Sequence, residues 1–358
     1  MSAALPSLFG ISHSNRNFSD AYYWGKNQFN SAFPVALACY MRSRDIPLMY
    51  VQYKDEKSTK VTELALEQVF GSNLGDPSLY FSFESRFEQF SQFVHDDLPA
   101  IDLIVCAGKR DAQIKPLEIK LTTLPDNTTE SLPEDQYGAE LVIRSATTRY
   151  MALSMAQSVD AQRKRVREIF EPALARVRNW DSKSEMLEVA PLVVVALQRF
   201  LNEFSALQTP LLMQPIWKTI GKSPVLANQC LDIFVWSDFA LAHLFLDSAR
   251  NSAASNSISR QLRAALRLSR FIYERSRADK VYQAPIYDGM TYDHQNDKEF
   301  SISGTKSRTL MACPRLTKPI IGKDEIKNII LGGGQKYLSP ERRFDAILYF
   351  SNDLFGSE

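Results

Sequence analysis

The sequence predicts an α/β fold, because strand-like and helix-like segments alternate along most of its 358 residues. The clearest strand patterns lie at 47–54, 101–107 and 114–121. The clearest helix pattern lies at 258–277, where apolar residues collect on one side. Hydrophobic residues make up 45% and charged residues 23% of the chain, a balance that excludes a largely disordered protein.

Turn residues separate the elements of the N-terminal half. A polar stretch, GKRDAQ, joins the strands 101–107 and 114–121 as a hairpin. The predicted elements of this half are a helix over 33–43, a strand over 47–54, a helix over 60–70, a phenylalanine-rich helix over 79–98 and the two hairpin strands.

The second half begins with a predicted loop over 123–138, which is rich in Pro, Asp, Asn and Thr. The segment 190–201 is either a strand or a buried helix, and 214–223 is a loop or a strand end. The other predicted elements are a strand over 140–145, a long helix through about residue 180, a strand over 231–237, a helix over 238–249, the helix over 258–277 and a mixed tail. By length the chain is one large domain or two small ones.

The charge balance and the apolar distribution exclude several classes of protein. Lys and Arg number 42 against 41 Asp and Glu, so the chain does not hold polyanions by bulk charge, although a local basic face is possible. No apolar run is long enough to span a membrane, and the first residues lack a secretory signal pattern. We expect a cytoplasmic protein without disulfides or zinc, because its four cysteines are far apart: Cys39, Cys106, Cys230 and Cys313.

Two carboxylates and a lysine form the most informative pattern. Glu118 and Lys120 alternate with apolar neighbours along one predicted strand, so their side chains share a face. Asp102 opens the preceding strand, and a short hairpin brings it beside Glu118. Paired carboxylates are typical ligands of Mg²⁺, which can polarise a phosphodiester and activate water. A nearby lysine can orient or deprotonate that water and offset charge on phosphorus. The set therefore suits phosphodiester hydrolysis.

The same spacing also has a structural interpretation. An acid two residues before a lysine occurs four times in the chain, and only the pair Glu118 and Lys120 lies on an apolar strand. The alternative is an exposed edge hairpin whose charges are solvated. From the pattern alone, both interpretations stay open.

The pattern Asp102…Glu118-x-Lys120 resembles the PD-(D/E)xK nuclease motif. The wider chain resembles the HindVP-type type II restriction endonucleases, through the stretches 24–31 (WGKNQFNS), 118–129 (EIKLTTLPDNTT), 137–140 (YGAE), 214–219 (QPIWKT) and 339–345 (SPERRFD). The resemblance implies a restriction-endonuclease-like fold, with a central mixed β-sheet flanked by helices. It also implies a single endonuclease domain over 1–358, with a catalytic core at about 79–240 and a mixed C-terminal portion at about 258–358.

The resemblance further implies a homodimer that cuts double-stranded DNA at a short palindrome, GRCGYC for this family. In that interpretation Asp102 and Glu118 bind Mg²⁺, and Lys120 is the catalytic lysine. Glu84, on the predicted phenylalanine-rich helix, is either a support for the metal or a solvated helix charge, and we favour the second.

Candidate DNA contacts fall in three places. The helix 258–277 carries an arginine stripe that either holds phosphates or forms a solvated face or internal ion pairs. Polar residues near the start and in the loop after Lys120 are candidates for reading bases, although turns and helix caps favour the same types. The candidates are Arg263, Arg267 and Arg270, then Lys26, Asn27, Gln28 and Asn30, then Asn127, Thr128 and Thr129.

Other common sites are not predicted. The four histidines are isolated, and the glycines at 332–334 lack the spacing of a phosphate-binding loop, so we expect no zinc site and no nucleotide cofactor. The sequence thus favours a Mg²⁺-dependent endonuclease. The second hypothesis is a DNA-binding protein of the same fold that does not cleave.

Overall fold

The computed structural model describes a discontinuous set of residues that includes most of the predicted core. These are 48–55, 58–72, 78–108, 112–120, 140–208, 217–220, 223–226, 233–235, 238–253, 257–292, 294 and 298–303. Among them, no helix is both long enough and apolar enough to cross a membrane.

A four-stranded sheet lies at the centre of the described structure. Its strands are ordered β3-β4-β5-β9, and every neighbouring pair is antiparallel. The bounds are Leu79–Ser85 for β3, Ile101–Ala107 for β4, Gln113–Lys120 for β5 and Ile233–Val235 for β9. The predicted hairpin of two strands is confirmed as β4 and β5. The resemblance implied a mixed sheet, whereas the described strand pairs of this sheet are antiparallel throughout.

Three smaller antiparallel pairs accompany the central sheet. They are β1 (Leu48–Asp55) with β2 (Ser58–Leu64), β6 (Glu140–Arg144) with β10 (Lys298–Ser303), and β7 (Trp217–Ile220) with β8 (Ser223–Leu226). The prediction of a strand at 47–54 is confirmed, and the open segment 214–223 contributes β7. The pair β6 and β10 joins residues far apart in sequence.

Helices pack beside the sheet and supply most of the core. They are α1 (Leu66–Phe70), α2 (Ser145–Ser158), α3 (Arg163–Leu174), α4 (Lys183–Phe204), α5 (Asp238–Ala253), α6 (Arg260–Arg277) and α7 (Ala284–Tyr287). Helix α6 contacts α2, α3, α4 and α5, and one apolar cluster extends from β4 through all of these helices. Serine side chains cap two of them, since Ser182 accepts the Glu185 amide and Ser259 accepts the Leu262 amide.

Two predicted helices are wrong. The segment 60–70 divides into β2 and the short helix α1, which Gly71 ends with a left-handed φ of 70°. The segment 79–98 forms β3 and then a 3₁₀ turn over Glu88–Gln92. Its phenylalanines recur at both helical and strand spacing, and pairing with β4 decides in favour of a strand.

The long helix predicted to reach about residue 180 is interrupted. It forms α2, a 3₁₀ turn over Asp160–Gln162 and α3. The open segment 190–201 lies inside α4, so the buried-helix alternative is correct there. The predicted helices at 238–249 and 258–277 are confirmed as α5 and α6.

Candidate active site

Strand pairing brings Asp102 and Glu118 to neighbouring positions on two strands. Leu103 of β4 is paired with Leu117 of β5, and the next step along each strand sets Asp102 against Glu118. Directly opposite residues of an antiparallel pair have Cβ atoms about 4.5–5.5 Å apart. The predicted juxtaposition of these two carboxylates is therefore confirmed by the backbone, while their catalytic roles stay a prediction.

The strand that carries Glu118 lies inside the sheet. It pairs with β4 on one side and with β9 on the other, where Glu118 is opposite Val235. Glu118 is only 6% exposed and lies between the buried residues Leu117 and Ile119. The alternative of a solvated edge hairpin is wrong for this residue, because its neighbours on both sides exclude solvent.

Each carboxylate is oriented by a neutral hydrogen-bond donor. The backbone N–H of Ile119 donates to Oδ2 of Asp102 at 2.8 Å, which ties the side chain on β4 to the backbone of β5. The hydroxyl of Thr147 donates to Oε1 of Glu118 at 2.9 Å. These two hydrogen bonds fix the directions of the carboxylates relative to β5 and to helix α2.

Helix α2 presents a polar face to these strands. Thr147, Tyr150 and Ser154 recur at helical spacing on its buried side. The Tyr150 hydroxyl donates to the carbonyl of Pro116 on β5. Burial raises the pKa of Tyr150, and the negative charges of Asp238 and Glu118 raise it further. The phenol is thus held protonated beside the carboxylates. Sequence reasoning missed this face, since buried Thr and Ser carry no pattern of their own.

A third acid, Asp238, lies behind Glu118 at the start of α5. It is 0% exposed, and burial followed by the charge of Glu118 raises its pKa. Ser154 and Gln208 partly oppose that shift, yet neither carboxylate oxygen receives a hydrogen bond of normal geometry. Its backbone N–H donates to Oε1 of Gln208 at 2.7 Å. The neutral, protonated form of Asp238 is therefore favoured in the folded protein.

The donor set suits a hard divalent cation. Asp102 and Glu118 offer carboxylate oxygens, which Mg²⁺ prefers together with several waters. Across the described residues, no three His, Cys, Asp or Glu side chains converge on one point. Within this part of the chain, the ligands for a metal at the site would be the two neighbouring carboxylates.

Two further predicted residues lie on the same four-stranded sheet. Lys120 ends β5 opposite Ile233 of β9, and its side chain is outside the described part of the chain. Glu84 lies on β3 rather than on a helix, with a left-handed φ of 50°. Its neighbours pair with β4 so that Glu84 falls opposite Asp102. The helix predicted for Glu84 is wrong, because pairing with β4 makes this segment a strand. Its role, metal support or a solvated charge, stays a prediction.

The arginines proposed as phosphate contacts are buried inside the protein. Arg263 is 1% and Arg267 is 3% exposed, and both guanidinium groups face Glu299 on β10. Arg270 donates to Glu274 and to the carbonyl of Pro285, and it stacks over Trp180 with 4.6 Å to the ring centre.

These contacts favour one of the two interpretations of the arginine stripe. Arg263 and Arg267 also donate to backbone carbonyls of the segment that follows α7, including those of Gly289 and His294. Phosphates of a duplex cannot reach guanidinium groups that are covered on all sides. The phosphate interpretation is therefore corrected, and the internal ion pairs that the sequence left open are what the structure contains.

The other predicted DNA contacts lie outside the described residues. They are Lys26, Asn27, Gln28, Asn30, Asn127, Thr128 and Thr129. Cys106 is described and buried, as expected, while Cys39, Cys230 and Cys313 lie outside. Among the described histidines, the His294 ring bonds the carbonyl of Ile258 and His95 stacks on Tyr282.

Comparison with known proteins covers nearly the whole chain. The sequence model of the HindVP restriction endonuclease family matches residues 24–355. The type II restriction enzyme HgiDI of Herpetosiphon aurantiacus is 39% identical over 350 residues, which cover 98% of this chain and 97% of that protein. The probable type II restriction enzyme HindVP of Haemophilus influenzae is 37% identical over 350 residues, which cover 98% of this chain and 95% of that protein. No solved structure matches significantly.

Proposed function

We propose that this chain, which belongs to the HindVP restriction endonuclease family and is a type II restriction enzyme, hydrolyses double-stranded DNA with Mg²⁺ as its cofactor. Its substrate is a short palindromic site, and the family resemblance implies GRCGYC. The observation that carries the proposal is the pair Asp102 and Glu118, which lie at adjacent positions of neighbouring strands and accept hydrogen bonds from the Ile119 amide and the Thr147 hydroxyl. The enzyme acts in the cytoplasm, where its DNA substrate is found.

Each residue of the site has a distinct role in this proposal. Asp102 and Glu118 hold Mg²⁺, which supplies positive charge beside the phosphate when it is bound. The Ile119 amide and the Thr147 hydroxyl keep the carboxylates in a fixed direction, so little reorganisation is needed when the ion arrives. Lys120, two residues after Glu118, orients or deprotonates the attacking water and offsets negative charge on phosphorus.

The reaction is an in-line displacement at phosphorus. A water oxygen forms a bond to phosphorus as the bond to the 3′ oxygen breaks, leaving a 5′-phosphate and a 3′-hydroxyl. One site acts on one strand, so a twofold homodimer is required to cut both strands of a palindrome. The reaction uses no nucleotide cofactor. Our candidates for base contacts remain Lys26, Asn27, Gln28, Asn30, Asn127, Thr128 and Thr129.

Digestion of plasmid DNA tests the proposal against the second hypothesis, a DNA-binding protein that does not cleave. The purified chain is incubated with plasmid in Mg²⁺ and, in parallel, in excess EDTA. We expect discrete fragments only with Mg²⁺, and sequencing of the fragment ends gives the site and the position of the cut. Binding to duplex DNA without cleavage in either Mg²⁺ or Mn²⁺ would instead favour the non-cleaving protein.

A further inference from the structure

Helix α4 exposes an apolar stripe on the side that faces away from the core. Leu192 is 44% and Val195 is 68% exposed, and Pro191 next to them is also exposed. The opposite side of the same helix is buried against α3, α5 and α6. Large apolar side chains exposed together on one helix face are typical of interaction sites.

An acid and a base bound this stripe. Glu188 lies one turn before it and Arg199 one turn after it, and both are exposed. Steps of three or four residues connect all five positions, so they share one face of α4. Among the described residues, neither Glu188 nor Arg199 has an opposite charge within ion-pair distance. Glu203 is ion-paired with Arg165, and the more distant charge of Arg199 also lowers the pKa of Glu203.

The order of these residues is self-complementary. A twofold axis that crosses α4 between Val193 and Val194 sets Leu192 of one copy against Val195 of the other. The same axis sets Glu188 of each copy against Arg199 of the other copy. This follows because residues 188 and 199 have the same midpoint along the helix as residues 192 and 195. Glu188 and Arg199 lie about 16 Å apart along α4, so two antiparallel copies of the helix align both ion pairs at once.

We propose that the α4 stripe, formed by Glu188, Pro191, Leu192, Val195 and Arg199, is the contact through which two copies of this chain associate. The proposal deepens the proposed function and rests on its homodimer. A C2 interface uses the same patch on both subunits, which explains why acid and base are placed symmetrically around an apolar centre. An unrelated partner would not require that symmetry.

The stripe forms the centre of a larger interface. A stable dimer buries about 1,200–2,000 Å² in total, which is more than one pair of helices supplies. Apolar residues at the centre exclude water, and charged pairs at the rim fix the register and orientation of the two copies. Substitutions in the stripe should therefore weaken the dimer while leaving each subunit folded.

Sedimentation velocity of the full chain, alone and with a short duplex, tests the proposal. Val195→Glu places a charge at the centre of the stripe and should raise the dissociation constant of the dimer at least about tenfold, the effect of 1.4 kcal/mol. Leu207→Glu is the matched control, because Leu207 is 47% exposed but lies off the stripe. It should leave the dissociation constant unchanged. Melting curves check that both variants are folded.

Charge reversal gives a second, independent readout. Glu188→Arg and Arg199→Glu should each weaken the dimer, and the double variant should restore it because the pairs re-form with opposite sign. A dimer unaffected by Val195→Glu and by both reversals would overturn the α4 stripe and leave the endonuclease function standing. A wild-type chain that cuts both strands as a strict monomer would overturn the stripe and the homodimer together. Absence of cleavage by a wild-type dimer would overturn only the proposed function.

Discussion

The carboxylates of β4 and β5 and the arginines of α6 are charged groups held inside the fold, with Asp102 partly buried and Glu118, Arg263 and Arg267 buried. Their surroundings differ. Asp102 and Glu118 accept hydrogen bonds from a backbone amide and a hydroxyl, which carry no charge. Arg263 and Arg267 face Glu299, a carboxylate from the same protein. The first region brings two carboxylates together on neighbouring strands, and the second places two arginines beside one glutamate.

The difference shows how to distinguish a candidate active site from a cluster of charged residues that stabilises the fold. Asp238 adds a further acid behind Glu118, and burial keeps it in the neutral form that limits repulsion. Carboxylates placed together in this way are the ligands that we propose for Mg²⁺. The arginine cluster instead holds β10 and the segment after α7 against the core, so it acts on stability.

The largest expected effect on stability is at Arg267. Arg267→Met leaves Glu299 buried without its nearest cation, and breaking a buried ion pair costs about 3–5 kcal/mol. Urea unfolding measures the loss. Arg165→Met is the matched control, because its partner Glu203 is at the surface and the variant should unfold at nearly the wild-type midpoint. Equal midpoints for the two variants would contradict the contrast between these arginines.

The next effect is on catalysis, through Thr147. Thr147→Val keeps the shape of the side chain and removes the hydrogen bond to Glu118, a bond to a charged group worth about 1.5–3 kcal/mol. We expect kcat/KM to fall about tenfold to a hundredfold, and Thr147→Ser to recover most of it. Thr148→Val is the control, since Thr148 is equally buried but its hydroxyl donates to the Ser145 carbonyl of its own helix. Similar losses in both Val variants would point to packing instead.

A smaller effect concerns pH and Asp238. Its pKa in the folded protein lies above the ordinary value of 3.8, so the native state keeps a proton that the unfolded chain has released. The stability of the wild type therefore falls as pH rises from about 4 toward the folded pKa. Asp238→Asn has no carboxyl at this position, so the variant does not lose stability through its titration. The stability of the variant relative to the wild type should therefore rise over the same pH range.

Asp279 provides a control of opposite sign for that pH experiment. The hydrogen bond and the charge of Arg163 lower the pKa of Asp279, so its contribution to stability is present above pH 3.8 and is lost as pH falls. Asp279→Asn should lose stability relative to the wild type as pH rises. Thermal melts between about pH 2 and about pH 8 measure both variants, because the Asp279 change falls below pH 3.8 and the Asp238 change falls above it. A flat difference for Asp238→Asn would contradict its burial as a neutral acid.

The smallest expected effect is on DNA affinity at Arg270. A lost phosphate contact would flatten the dependence of log affinity on log salt by about 0.9 for duplex DNA. Arg270 instead donates hydrogen bonds to Glu274 and to the Pro285 carbonyl, and it stacks on Trp180. Arg270→Ala should therefore leave the salt dependence of DNA affinity unchanged. Binding isotherms at several salt concentrations measure the slope. A flatter slope would restore the phosphate interpretation.

The sequence was sufficient to predict the pair Asp102 and Glu118, because a hairpin is local and its strands alternate in a visible way. It was insufficient for β3, since pairing with β4 overrides the helical spacing of its phenylalanines. The roles of Thr147 and Asp238 could not be predicted from the sequence. Both residues are distant from Glu118 along the chain and come near it only when these segments pack together. The ion pair of Arg267 with Glu299 is likewise long-range. From the sequence alone, the arginines of α6 are therefore as suitable for binding phosphates as for internal ion pairs.

Cleavage assays of amide variants test most directly whether Asp102 and Glu118 carry the cleavage reaction. Asp102→Asn and Glu118→Gln each keep the side-chain shape and remove one charge from the proposed metal site. Glu88→Gln, at an exposed position of the 3₁₀ turn, is the control. With Mg²⁺ we expect normal cleavage by the control and none by the two site variants, which should still bind the specific duplex. Cleavage by either site variant at a near-normal rate would contradict the account.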